Sequence, residues 1–132
     1  MDLRRTYLVL EPDNRAKQVD VDESFWPDLM SREPKSDSAK LVAGTKGRLM
    51  GAFEQKADWP HWEMHPEGDE VLVLLSGRIV LILDTSGGEH RLELSPGDAC
   101  VVPRGVWHRG LVPEPGVLLG ITPGANTQHR PV

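Results

Sequence analysis

Turn-forming residues divide this chain into segments that are too short for long helices. Eleven prolines and thirteen glycines are spread over 132 residues, and no long stretch repeats its apolar residues with the period of a helix. Short apolar segments separated by such turns are typical of all-β sandwiches and barrels. The length lies in the range of one domain. The sequence therefore predicts a single all-β domain.

Strand candidates follow one another along most of the chain. Two early strands, 3–10 and 16–21, precede a short helical turn over 25–30 and an exposed loop over 31–38. The later strand candidates are 41–45, 48–56, 62–65, 70–75, 78–84, 90–94, 99–102, 108–112 and 117–122. Tight turns are predicted between them, including 76–77 and 113–116. Residues 1–38 are expected to pack on a barrel formed by 39–122, and 123–132 to form a loosely held tail.

Two of these strands, 71–75 and 79–83, are apolar on both faces. A strand in a barrel wall that faces water would alternate instead. The outer face must therefore be covered, either by the N-terminal segment with Phe25 and Trp26 or by a second copy of the chain. We expect a homodimer.

The composition argues against several classes of protein. The net charge of −5 and the absence of a basic block argue against a nucleic-acid partner. Cys100 is the one cysteine, so an intrachain disulfide and a cysteine-rich zinc module are excluded. The apolar runs are too short to span a bilayer, and residues 7–10 are too few for a signal-peptide core. We expect a cytoplasmic protein with no membrane partner.

Four polar residues have a spacing that suits a metal site. Glu63 and His65 share one face of a predicted strand, with Cα atoms about 6.8 Å apart. Their ligand atoms can converge on one ion at roughly 2.0–2.2 Å each. Glu70 opens the next strand after a tight turn and can reach the same face. His108 begins a later strand after the turn at 103–105.

These residues stand in an order that resembles the two motifs of the cupin superfamily. His65, Glu70 and Gly77 match the end of the first motif, G-x5-H-x-H-x(3–4)-E-x6-G. The second motif, G-x5-P-x-G-x2-H-x3-N, is matched by Gly97, Pro103, Gly105 and His108. Nineteen residues, 78–96, separate the motifs. The resemblance implies a double-stranded β-helix, or jelly-roll, barrel.

The chain departs from the cupin motifs at three positions. Ala57 replaces the first glycine, Glu63 the first histidine and Val112 the final asparagine. Of these, only Glu63 falls on a ligand position. The metal set that the resemblance implies is Glu63, His65, Glu70 and His108. Two imidazoles and two carboxylates suit a divalent ion such as Fe, Mn, Zn or Ni.

Several other residues are of types that can take part in chemistry. His61 shares the face of Glu63, so we expect it at the pocket rim, with substitution as a ligand as the alternative. His90 and His129 are expected on the surface, and Cys100 in the core. Arg104 is expected to be a solvated turn residue, with contact to an anionic substrate as the alternative.

Side-chain alternation also predicts which residues line the barrel interior. Trp62, Met64 and Trp107 should point outward and pack on the N-terminal segment or on a dimer partner. The predicted pocket lining is Leu72, Leu74, Phe53 or Met50, and Trp59 near the rim. Such a lining makes a mostly apolar cavity around a polar centre.

The resemblance favours a metal-dependent enzyme that acts on a small organic molecule, by oxygenase, isomerase or lyase chemistry. No residue distinguishes these reactions, because this scaffold hosts many activities. Glu63 has two possible roles there, as a ligand or as a general base. The alternatives are a non-catalytic barrel that binds a small ligand or a metal, and a barrel that has lost its metal.

Overall fold

The computed structural model describes all 132 residues as an antiparallel β structure with two short helices. The strands are β1 (Thr6–Leu10), β2 (Ala16–Asp20), β3 (Arg48–Gln55), β4 (His61–Met64), β5 (Glu70–Thr85), β6 (Gly88–Leu94), β7 (Ala99–Val102), β8 (Trp107–Thr122) and β9 (Gln128–Pro131). The helices α1 (Phe25–Leu29) and α2 (Asp37–Gly44) lie between β2 and β3. The fold is the predicted all-β jelly-roll barrel with a short N-terminal helical turn. No helix has the length and apolar character needed to cross a membrane.

Two long strands organise the barrel. Strand β8 pairs with β3, β4 and β5, and β5 pairs with β6, β7 and β8. Both strands run through places where turns were predicted, 76–77 in β5 and 113–116 in β8, so those two predictions were wrong. Register shifts between Leu74 and Val80 replace the first turn. Such irregularities bend a strand without ending it.

Alternate side chains of β5 form most of the barrel core. In the first half of β5 the buried side chains include Leu72 and Leu74, and in the second half Ile79 and Leu81. The register shifts between the halves explain why the buried positions change from even to odd numbers. Cys100 is buried in this core, as predicted.

The N-terminal segment forms a second core beside the barrel. Tyr7, Val9 and Val19 from β1 and β2 pack with Phe25 of α1 and Ala39 of α2. The helical turn predicted at 25–30 is confirmed as α1. The strand predicted at 41–45 was wrong, because those residues belong to α2 or to its C-terminal end.

Local signals for α2 are present in the sequence. The Ser36 side chain accepts a hydrogen bond from the backbone N–H of Ala39 at 3.1 Å, as an N-cap does. Asp37 stands in the first turn, where a negative charge is favourable. The apolar run that follows has no clear period, so it was mistaken for a strand.

The C-terminal tail is also an ordered element. Residues 128–131 form β9, which pairs antiparallel with β4. The prediction of a loosely held tail was therefore wrong. Arg130 explains the attachment: its guanidinium lies 5.2 Å from the ring centroid of Trp62 and 4.7 Å from that of Trp107. It also forms an ion pair of 2.6 Å with Asp84.

Candidate metal centre

The structure brings the four candidate ligands together at one end of the barrel. Glu63 lies on β4 and is the cross-strand partner of His108 on β8. His65 follows β4 directly, and Glu70 is the first residue of β5. The turn between β7 and β8 is tied to β4, because the Gly105 N–H donates to the His65 carbonyl oxygen at 3.0 Å. Gly105 has a φ of 77°, which a residue with a Cβ rarely adopts.

Glu70 stands between the two imidazoles. Its Oε2 lies 3.2 Å from His65 Nε2, and its Oε1 lies 3.0 Å from His108 Nε2. Glu63 is farther away, with Oε2 4.0 Å from His65 Nε2. One ligand atom each from Glu63, His65 and His108 lie within 4.8 Å of one another. Glu63, His65 and His108 can therefore share one ion, and Glu70 lies beside the two imidazoles.

The contacts of the Nδ1 atoms of His65 and His108 determine which tautomer of each ring is present. His108 Nδ1 faces the carbonyl oxygen of Val106 at 3.1 Å, and a carbonyl can only accept. His65 Nδ1 lies 2.8 Å from Thr127 Oγ1, whose own proton is donated to the Gly124 carbonyl at 2.8 Å. Both Nδ1 atoms must therefore carry the hydrogen. In the neutral imidazoles, the Nε2 lone pairs face Glu70.

This arrangement leaves three buried polar atoms without hydrogen-bond partners. They are His65 Nε2, His108 Nε2 and Glu70 Oε1. His108 Nε2 lies 3.0 Å from Glu70 Oε1. When the ring is neutral, this contact joins two lone pairs and is not a hydrogen bond. Unpaired buried acceptors are costly, and a shared cation removes that cost. The donor set therefore fits a divalent metal ion.

The pKa shifts in the cluster have the same electrostatic origin. Burial acts to raise the pKa of Glu70. When the Nε2 atoms of His108 and His65 carry hydrogen, their hydrogen bonds and charge outweigh burial and hold this pKa at about 2. Burial acts to lower the pKa of His108, and the Glu70 carboxylate outweighs it, so that this pKa is raised. The Glu70 carboxylate thus favours a positive charge at this point, which a proton or a metal ion can supply.

Three residues around the cluster were missed by the sequence analysis. Thr122 donates to Glu70 Oε2 at 2.5 Å. Within the predicted strand 117–122 it shares a face with the buried Leu118, so alternation was a usable signal. Thr127 contacts His65, and His129 Nε2 lies 3.6 Å from Glu63 Oε1. Nothing local marks these two, because only the pairing of β9 with β4 brings them to the site.

The cluster opens into a cavity of about 790 Å³. Of the predicted lining residues, Leu72, Phe53 and Trp59 face this cavity. The prediction for Leu74 was wrong, because Leu74 is packed in the barrel core. Of the alternatives Phe53 and Met50, only Phe53 lines the cavity.

Other predicted residues also have defined places. His61 is exposed at the cavity mouth, with its ring 6.2 Å from that of His129. His129 is exposed, as predicted, and it also lines the cavity. Arg104 is held by the turn before β5, because its Nε donates to the Pro66 carbonyl at 2.8 Å. His90 is exposed on β6, as predicted.

Trp62 and Trp107 pack on the C-terminal strand rather than on the N-terminal segment. Their expected neighbours were the N-terminal segment or a dimer partner. In the structure both indole rings lie against the guanidinium of Arg130 on β9.

Comparisons with known proteins agree on the fold. A family profile described as a cupin domain matches residues 51–122. No curated protein matches the chain by sequence. A cupin-2 domain containing protein from Shewanella frigidimarina NCIMB 400 superposes with a TM-score of 0.50 at 21% identity, over 58% of this chain and 70% of that one.

Two further solved structures are similar in fold and described as having different activities. Hydroquinone 1,2-dioxygenase from Sphingomonas sp. TTNP3, with 4-hydroxybenzoate bound, superposes with a TM-score of 0.51 at 13% identity, over 67% of this chain and 77% of that one. Peruvianin-I, described as a cysteine peptidase from Thevetia peruviana latex, gives 0.53 at 12%, over 65% and 56%. At these identities the similarity shows the fold alone.

Proposed function

The chain belongs to the cupin family, and from that premise we propose that it is a metal-dependent enzyme acting on a small organic molecule. The observation that carries the proposal is the convergence of three unpaired buried atoms, on His65, His108 and Glu70, beside a cavity large enough for a substrate. The proposed protein ligands are Glu63, His65, Glu70 and His108. With two imidazoles and two carboxylates, they suit Fe, Mn, Zn or Ni.

A divalent ion bound there supplies a Lewis acid that stabilises negative charge on a substrate oxygen. The chain's own residues prepare the site for it. Val106 and Thr127 hold the imidazole Nε2 atoms as acceptors, and Thr122 fixes one oxygen of Glu70. Partners of this kind orient metal ligands and tune their affinity.

Glu63 differs from the other three ligands in its exposure. Its side chain is 35% exposed, against 5% for His65 and 6% for Glu70. One carboxylate oxygen faces His65 and the other faces His129. Glu63 is thus placed either to complete the coordination or to exchange protons with a substrate in the cavity. The Glu63→Gln variant separates the two roles: metal retained with turnover lost indicates a base, and metal lost indicates a ligand.

Elemental analysis of the purified protein tests the metal centre. We expect about one divalent ion per chain in the wild type and a large loss in His65→Ala. His90→Ala, which changes an exposed histidine on β6, is the matched control and should keep its metal. Full metal content in His65→Ala would show that the ion binds elsewhere.

Turnover by metal-loaded protein tests the catalytic part of the proposal. Protein loaded in turn with Fe(II), Mn(II), Ni(II) and Zn(II) would be incubated with small hydroxylated and carbonyl compounds, and products followed by mass spectrometry. We expect conversion that disappears in His65→Ala. Ligand binding without conversion under any metal would instead indicate a binding barrel.

We also propose that the protein is a homodimer. Leu75 and Val101 are 50% and 57% exposed. Val101 is the cross-strand partner of Val71, which in turn pairs with Ile121 on β8. Cross-strand partners point to the same side of a sheet, so these side chains form one apolar outer face. Its burial against a second copy accounts for the apolar pattern of β5.

A further inference from the structure

The charged groups that line the cavity are mostly of one sign. Four carboxylates and one ammonium face it: Glu54, Asp58, Glu63, Glu70 and Lys56. No arginine is among the lining residues. The ammonium of Lys56 is already paired with Glu54 at 3.2 Å and is 81% exposed. These side chains carry a formal charge of −3, which a divalent ion reduces to −1.

Three arginines of the barrel strands and turns are committed to other partners. Arg109 Nε donates to the Trp59 carbonyl at 2.8 Å. Arg104 is held by the Pro66 carbonyl, and Arg130 by Asp84. None of the three lines the cavity. Lys56 and Arg4 both lie against Glu54, at 3.2 and 3.7 Å, and Arg4 is also paired with Asp2. An anionic group on a ligand would therefore find no unpaired cation on the lining and would meet the carboxylates of the centre, which raises the free energy of the complex.

One part of the cavity wall is apolar. Helices α1 and α2, together with the residue that caps α1, contribute Trp26, Leu29, Met30 and Val42 to it. The barrel strands add the apolar side chains of Phe53 and Leu118. A cavity with an apolar wall and a few polar groups at one end buries the body of a ligand and orients its polar end.

We infer that the cavity binds an uncharged ligand that has an oxygen donor at one end and an aromatic or branched apolar body, and that Glu63 sets this charge selectivity. The inference rests on the proposed metal centre. Glu63 is the position at which the cupin motif has a histidine, so the chain carries one more negative charge at the centre than the motif provides. That charge makes an anionic donor less favourable than a neutral one of the same shape.

Two small probes of similar shape test this selectivity. Salicylamide and salicylate both offer a phenol beside a carbonyl oxygen, but only salicylate is an anion at neutral pH. Calorimetric titration of zinc-loaded wild-type protein, with the zinc content measured first, should give tighter binding of salicylamide. The expected preference is about tenfold, for one charge at short range in a partly buried site.

Variants test whether the charge of the cavity causes this selectivity. Glu63→His removes one negative charge and keeps a metal ligand, so the preference should shift toward salicylate by about tenfold. Met30→Lys places a cation on the apolar wall and should shift the preference in the same direction without touching the centre. Glu89→Gln removes a carboxylate from the exposed strand β6, outside the cavity, and should leave the preference unchanged.

The outcomes separate this inference from the proposed function. A wild-type protein that takes up no zinc overturns the metal centre and the inference together. Zinc uptake with salicylamide binding no tighter than salicylate overturns the inference alone. A preference that is unchanged in both Glu63→His and Met30→Lys also overturns it, because the cavity charge would then have no part in selection.

Discussion

At the scale of single residues, the two buried imidazoles owe their orientation to the groups behind them. His108 is held by a backbone carbonyl in its own strand segment, whereas His65 depends on the side chain of Thr127. A backbone carbonyl cannot be removed by substitution, but a hydroxyl can. Substitution of Thr127 therefore tests whether the contacts of the imidazole Nδ1 atoms affect metal binding.

We predict that Thr127→Val lowers metal affinity by about tenfold, because His65 then loses the acceptor that fixes its tautomer. Competition with a metal chelator measures this affinity. Thr127→Ser, which keeps the hydroxyl, should restore most of it. Thr6→Val removes a hydroxyl that contacts Asp20 at the far strand pair and serves as the control. Equal affinities in Thr127→Val and the wild type would contradict the prediction.

At the scale of elements, the C-terminal segment 127–131, which includes β9, contributes two residues to the site and is held by a third. Thr127 and His129 flank the cluster, and Arg130 clamps the strand between two indole rings and Asp84. Alternation along β9 places His129 on the inner side and Arg130 on the outer side. The clamp outside the barrel thus supports the wall of the cavity.

We predict that Arg130→Ala lowers the free energy of unfolding by about 1–2 kcal/mol, because two cation–π contacts and a partly exposed ion pair are lost. Denaturant titration measures the change. Hydrogen exchange of residues 128–131 should rise at the same time. Arg130→Lys keeps the charge but not the planar stacking, so its stability should be intermediate. Unchanged exchange in Arg130→Ala would mean that pairing with β4 alone holds β9.

The two helices that roof the cavity are joined by one carboxylate. Asp28 at the end of α1 accepts hydrogen bonds from the backbone N–H groups of Lys35 and Ser36, at 2.8 and 2.9 Å. These bonds, with Ser36 as the larger cause, lower the pKa of Asp28 below its usual 3.8. The carboxylate therefore stabilises the junction of α1 and α2 when it is ionised.

We predict that this stabilisation is complete above pH 3.8 and is lost as the pH falls through the lowered pKa of Asp28. Asp28→Asn should show faster hydrogen exchange in α2 already at neutral pH, because the amide accepts more weakly and has one oxygen instead of two. The difference in α2 exchange between variant and wild type, followed against pH, isolates this group from other acidic residues. A difference that persists far below pH 3.8 would contradict the assignment.

At the scale of the whole molecule, the chain has two separate cores and one apolar outer face. The barrel core lies between β5, β6, β7 and β8, and the second core lies under α1 and α2. Phe25 was one of two candidates to cover β5, but it packs with Tyr7 in the second core. The outer face with Val101 and Leu75 therefore stays exposed in the single chain.

We predict that light scattering gives twice the mass of the chain, and that Val101→Lys shifts the protein toward the monomer because it places a charge in the apolar contact. Glu93→Lys, on the exposed strand β6, adds a lysine without touching that face and is the control. A monomeric wild type would contradict the dimer that the strands with two apolar faces predict.

Much of the fold could be predicted from the sequence, because the information is local. Turn residues and alternation gave most strands and the inward side of Leu72. The predictions were wrong where one local pattern is compatible with two different structures. A Ser-Gly pair gave a bulge rather than a turn in β5, and an apolar run without a clear period gave the end of α2 rather than a strand.

The sequence by itself determined the fold class, the family motifs and the alternation of side chains within short strands, because alternation and turn chemistry act between near neighbours. Only the tertiary structure decided which residues from distant parts of the chain lie next to one another. It placed Glu70 between the imidazoles of His65 and His108, and it brought Thr127 and His129 from the tail to the same point. Those contacts depend on pairing between strands far apart in the chain, and pairing register is fixed by packing of the whole barrel rather than by any local signal.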